Sequence, residues 1–168
     1  MKHLRPFAVA LAVAMAALIP QTAGAHQPIR MPSQAFVGTF PAGSVCAFAV
    51  STGPVGPTQT ETIYFDRNHN VVKISFTGSA SVFLTNDLTN KTIVGSANGA
   101  GFLYPQPDNS LLGAGGGPGL FALFPGDDRG PALLKIDGHE TFRISPSGQI
   151  QDLVIVGKVT DLCAVLAT

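Results

Sequence analysis

At 168 residues, with 45% hydrophobic and only 12% charged side chains, the chain has room for one domain of ordinary size. Ten basic residues balance ten acidic ones, so there is no electrostatic footprint for nucleic acid or for an anionic membrane surface. Nineteen glycines and thirteen prolines raise disorder as a competing reading, but Phe, Ile, Leu and Val recur throughout, and disordered chains lack such residues.

Residues 1–25 read as a cleaved export signal. Lys2, His3 and Arg5 make a basic start, Phe7 to Ile19 follow as an unbroken apolar run, and Ala23-Gly24-Ala25 supplies the small residues a signal peptidase needs. The run is shorter than the roughly 20 residues that span a bilayer as a helix, so a signal is expected rather than an anchor. No cysteine follows the cleavage point and no Arg-Arg pair marks the twin-arginine route. The remaining chain is then exported, begins at His26, has no second stretch long enough to cross a membrane, and carries eight basic against ten acidic residues once Lys2 and Arg5 are removed. Outside the cell nothing keeps thiols reduced, so Cys46 and Cys163, the only cysteines, are expected to pair. Closing a loop of that length stabilises the fold by about 5 kcal/mol on the chain-entropy model.

Residues 26–34 carry two prolines and no periodicity and are expected to form an arm leading into a single domain over 35–168. Ala35 to Phe40 and Val45 to Ser51 are expected strands, separated by Pro41-Ala42-Gly43 and followed by a loop at Gly53-Pro54-Val55-Gly56-Pro57. Alternation of Ile63 and Phe65, then of Val72, Ile74 and Phe76, predicts a hairpin with the polar tip Asp66-Arg67-Asn68-His69-Asn70. Ser81 to Thr85 and Thr92 to Ala97 predict a second hairpin around Asn86 to Lys91, and Gly101 to Tyr104 pairs with Ser110 to Ala114. The run Gly113 to Gly119 reads as a flexible connection, since it lacks the Lys-Ser/Thr ending and the helix of a phosphate loop.

Leu120-Phe121-Ala122-Leu123-Phe124 is apolar at every position and should be covered on both faces or line a pocket. Pro125 to Pro131 is a loop. Leu133 to Ile136, Thr141 to Ser145 and Ile150 to Val159 complete the set, with hairpin turns at Asp137-Gly138 and Pro146-Ser147-Gly148 and a helical turn opened by Thr160 or Asp161. Some eight to ten short strands with no earlier helix predict an all-β domain. The serial hairpins tilt it toward an antiparallel meander closing as a small β-barrel, with a β-sandwich as the alternative.

Several segments carry a resemblance: Phe40-Pro41-Ala42-Gly43 with Cys46 and Phe48, Phe65 to Val72, Leu84-Thr85-Asn86 with Leu88 to Lys91, Leu123 to Asp127, Gly148, and Gly157 to Cys163. Together they resemble an uncharacterised family of small secreted actinobacterial proteins. The resemblance implies export and an all-β scaffold; it brings no activity, ligand or catalytic residue with it.

Candidate chemistry is sparse. The tip at Asp66 begins like a calcium loop, but Val71 stands where glycine and Thr77 where glutamate is needed, so a polar turn is expected. Cleavage would expose His26 as an N-terminal histidine, an arrangement that resembles exported bacterial copper oxygenases and carriers; nothing in the spacing brings His69 or His139 beside it. Asp127 and Asp128, next to the most apolar strand, are the candidate acid or base pair, although such a run is more often a solvated turn. His139 and Glu140 are expected to face opposite sides of a strand and so form no dyad. No Gly-x-Ser-x-Gly elbow and no zinc-type cysteine spacing occurs, and Asn90-Lys91-Thr92 is a glycosylation sequon only in a host with that machinery.

These readings predict a secreted monomer without a cofactor. It is either a non-enzymatic module binding a small apolar ligand or a cell-envelope component along Leu120, Phe121, Leu123 and Phe124, or a small-barrel enzyme of the isomerase or cyclase kind using Asp127, Asp128 or His139. A buried carboxylate with a shifted pKa favours the enzyme and an uncharged pocket the binding module. Copper at His26 is a third, weaker reading.

Overall fold

The computed structural model describes residues 27–33, 36–56 and 58–168; residues 1–25, read above as an export signal, and His26 lie outside the described residues. Eleven strands and one helix occur among them: β1 (Ile29–Pro32), β2 (Gly38–Phe40), β3 (Val50–Pro54), β4 (Thr60–Phe65), β5 (Val71–Thr77), β6 (Ala80–Asn86), β7 (Thr92–Ala97), β8 (Ala100–Pro105), β9 (Leu111–Leu123), β10 (Ala132–Ile144), β11 (Ile150–Asp161) and α1 (Leu162–Ala167). All pairings are antiparallel. The all-β class is therefore as expected.

Barrel closure is not. The strands form a seven-stranded sheet in the order β1-β4-β5-β8-β9-β10-β11 and a four-stranded sheet in the order β2-β3-β6-β7, which fits the sandwich alternative. The chain leaves the small sheet at the end of β7 and joins the large one at β8 across Asn98-Gly99, so consecutive strands belong to different sheets. Both β1 and β11 stay as edges of the large sheet.

Between the sheets lies a core of Val45, Val50, Leu84, Leu133, Leu162 and Leu166, with Phe40, Val82, Leu120 and Ala122 packed against it. A second cluster, Leu123, Leu134 and Leu153 with Phe121 and Phe142, fills the opposite face of the long strands. The alternation Leu133, Leu134 thus sends one leucine to each core, which is why β9 and β10 are apolar on both faces where they meet. Asp161 caps α1, its Oδ1 accepting from the amides of Cys163 at 2.8 Å and Ala164 at 3.2 Å. That cap turns Leu162 and Leu166 into the inter-sheet core. The Cys46–Cys163 disulfide, with Cα atoms 5.5 Å apart, ties the helix to the loop before β3.

Several local expectations need correction. The arm contains β1, which pairs with β4 from Ile29 opposite Ile63 to Pro32 opposite Thr60. Residues 45–48 are a bend rather than strand. Val45 and Cys46 are apolar because they plug the core from a loop, closed by the Gly43 amide donating to Cys46 O at 2.7 Å. The first strand shortens to Gly38–Phe40, with Ala35 outside the described residues. Gly53 and Pro54 finish β3 instead of opening a loop. Proline is tolerated there because the next amide, Val55, donates to Ser81 O on the β6 side, so the nitrogen of Pro54 faces away, past the end of β2 at Thr52. The glycine run 113–119 lies inside β9, which continues through Leu120 to Leu123, and Asp137-Gly138 lies inside β10. These glycines serve close packing across strands, not turning.

Candidate functional site

Strand β10 places one acidic side chain among the apolar positions of one of its faces. In β10 the positions Leu134, Ile136, Gly138, Glu140 and Phe142 share a face, and Lys135, Asp137, His139 and Thr141 share the other. Register extends the first face across the sheet: Phe76 on β5 is opposite Gly101 on β8, Gly101 opposite Gly115 on β9, and Gly115 opposite Glu140, which in turn faces Ile155 on β11. The row is a groove with a carboxyl lying in it. A Cβ at Gly115 would overlap Glu140 Oε1, and one at Gly113 would overlap the ring of Phe142, so bare backbone on β9 is what lets both side chains lie flat across it.

Above this floor is a cleft of about 380 Å³. Phe76, Leu103, Phe121, Phe142 and Ile150 contribute its apolar wall. Among the described residues that line it, Glu140 is the one titratable side chain, and Gln59 the one other with a polar side chain. The Gln59 amide is already committed, Nε2 donating to Gly99 O at 2.9 Å and Ala97 O at 3.2 Å. Glu140 is committed to nothing: it is only 8% exposed, and Oε2 has no hydrogen-bond partner. Burial pushes its carboxyl above the ordinary value of 4.5, a shift that the positive field of His139 only partly offsets.

The residues singled out from sequence fall elsewhere or only partly here. Leu120 and Phe121 line the cleft, Leu123 is fully buried in the second core, and Phe124 sits 43% exposed with its ring 5.9 Å from that of Phe40. Asp127 and Asp128 hold a loop together. Asp127 accepts from the amides of Phe124 at 2.6 Å and Ile150 at 2.8 Å, and Asp128 from that of Leu153 at 3.1 Å. Neither lines the cleft. His139 is exposed on the reverse face of β10, as the opposite-faces expectation for His139 and Glu140 has it. The tip at Asp66 is a polar turn, one carboxyl oxygen accepting from the amides of Asn68 and Asn70. No group of three or more His, Cys, Asp or Glu among the described residues could hold a metal ion, and His26 lies outside them.

From sequence Glu140 enters only as half of a rejected dyad with His139, because reading Asp137-Gly138 as a turn separates it from its neighbours on the same face. Treating 132–144 as one strand reveals the signal, a lone charge on a face whose other members are Leu134, Ile136, Gly138 and Phe142. Fold and site together define a two-sheet, all-β protein with a buried acid over a glycine-floored apolar cleft. No protein-family model, curated protein or solved structure matches the chain.

Proposed function

We propose that the protein binds a small, mostly apolar molecule carrying one hydrogen-bond acceptor, with that acceptor set against a protonated Glu140. The observation that carries this reading is the buried, unpartnered Oε2 above an apolar cleft. Leaving such a group unmade costs about 1–3 kcal/mol, which a ligand's acceptor would recover. Apolar walls with one convergent polar group are the ordinary composition of a small-molecule site. Export of such a carrier from the cell accords with its disulfide.

Nile red, a neutral dye with a single carbonyl acceptor, tests the reading directly. Its emission should shift to the blue and saturate with wild-type protein, and Gly119→Leu should weaken binding at least tenfold. A Cβ at Gly119 meets only ordinary contacts, 3.7 Å from Phe121 and 3.8 Å from Glu140, so the added side chain occupies the cleft without disturbing the strand. Equal binding by both proteins would remove the cleft as the site.

A second reading, a proton-transfer enzyme of the isomerase or cyclase kind, rests on the same raised carboxyl. The two separate on the fate of a bound molecule. A carrier returns it unaltered, whereas an enzyme returns an isomer, and Glu140→Gln abolishes the conversion.

A further inference from the structure

A second cavity of about 240 Å³ lies between the two sheets, walled by Phe40, Val82, Leu84 and Leu133. It shares Gln59, Ala97, Leu120 and Ala122 with the cleft at Glu140, so the two spaces are back to back. The reason is a split in the large sheet. The last β8 partner of β9 is Ala100, opposite Gly116; one further backbone bond reaches that side, the Gly99 amide donating to Pro118 O at 3.0 Å, and from Gly119 onward β9 is paired through β10 alone. Beside that unpaired stretch lies Gly95 of β7, at the edge of the small sheet. The partition between the cavities is correspondingly thin. It consists of two alanines, a glutamine pinned to backbone carbonyls, and Leu120, whose methyl groups lean over the bare backbone of Gly95 at 3.0 and 3.2 Å from where a Cβ would stand. Leu120 is the one long apolar side chain in that wall.

We infer that the ligand is elongated: its acceptor group lies at Glu140 and an unbranched apolar tail runs past Leu120 into the cavity between the sheets. This rests on the binding reading above and adds the shape and class of the molecule, a straight-chain amphiphile with a neutral head. Both spaces are walled mostly by apolar groups, and among the described residues lining them neither has a cation for an anionic head.

Straight-chain methyl ketones of increasing length, titrated calorimetrically into the full chain, test it. Each methylene buried should tighten binding about fourfold, and the climb should continue past the length that fills the first cleft, then level off. Ala80→Phe places a ring in the inter-sheet cavity, which Ala80 lines, and should make the affinity level off at a shorter chain. Ketones of equal carbon number with a branched tail need no variant. They should bind wild-type protein at least tenfold more weakly than the straight ones. Equal affinity for branched and straight tails, or an unchanged plateau in a folded Ala80→Phe protein, would overturn the inference while leaving the cleft reading intact. Failure of every ketone, short ones included, would sink both.

Discussion

Glu140 holds its proton to higher pH in the folded chain than in the unfolded one, because burial penalises the charged form. The sign of its effect on stability follows. Below the ordinary value of 4.5 the group is protonated in both states and its contribution is whole; as pH rises from there the unfolded chain ionises first, and the contribution drains away until the folded value is passed. Glu140→Gln has no proton to lose. The difference in melting temperature between variant and wild type should therefore be flat below about pH 4.5 and move in the variant's favour as pH rises above it. Parallel profiles across that range would mean that the carboxyl is solvated. Asp66 and Asp108, held low by hydrogen bonds from Asn70 and Ser110 respectively, destabilise in the opposite direction as pH falls, but they do so in both proteins and cancel. At this scale the sequence was legible in part: the alternation at His139 and Glu140 is visible in the letters, but which face is buried depends on strands far away in the chain.

At the scale of elements, the long strands β9, β10 and β11 are held close by glycines that a single strand's pattern cannot explain. Gly117, Gly138 and Gly157 stand directly opposite one another. A Cβ at Gly138 would overlap Val156 O and stand 2.8 Å from Gly157 Cα, and backbone atoms cannot swing aside as a side chain can. Gly138→Ala should cost about 1–3 kcal/mol in urea unfolding, whereas Gly119→Ala, with open contacts, should fall within about 1 kcal/mol of wild type. Near-equal values for the two would show that β10 and β11 approach less closely than their register implies. This is also why strand ends were harder to read than strands. The hairpins at Asp66 to Asn70 and Asn86 to Lys91 are local and were legible, their turn residues adjacent in the chain. Glycine at 113–119 and 138 carries the same letter as a turn, and only the partner strand reveals what its missing side chain makes room for: Phe142 at Gly113, Glu140 at Gly115 and the backbone of β11 at Gly138.

Over the whole molecule, the disulfide joins positions 117 residues apart and restricts most of the unfolded chain. Replacing both cysteines by serine should lower stability by about 5 kcal/mol, read as the shift in unfolding free energy between oxidised wild type and variant. A loss below about 1 kcal/mol would mean that the unfolded chain is already constrained there. That the cysteines pair was legible from their number; that the strands split into two sheets was not, because the changes of sheet, between β1 and β2, β3 and β4, β5 and β6, and β7 and β8, leave no mark in hydrophobic periodicity. The same end of the chain settles when the fold can form at all. Leu162 and Leu166 of α1 reach back to Val45, Val50 and Leu84, and Asn86 Nδ2 donates to Leu166 O at 3.1 Å. Every strand can have been synthesised while the interior between the sheets still lacks its stopper. A growing chain therefore lacks two of that interior's buried leucines until residue 166 has emerged, and any product truncated before residue 162 leaves Val45, Val50 and Leu84 without them.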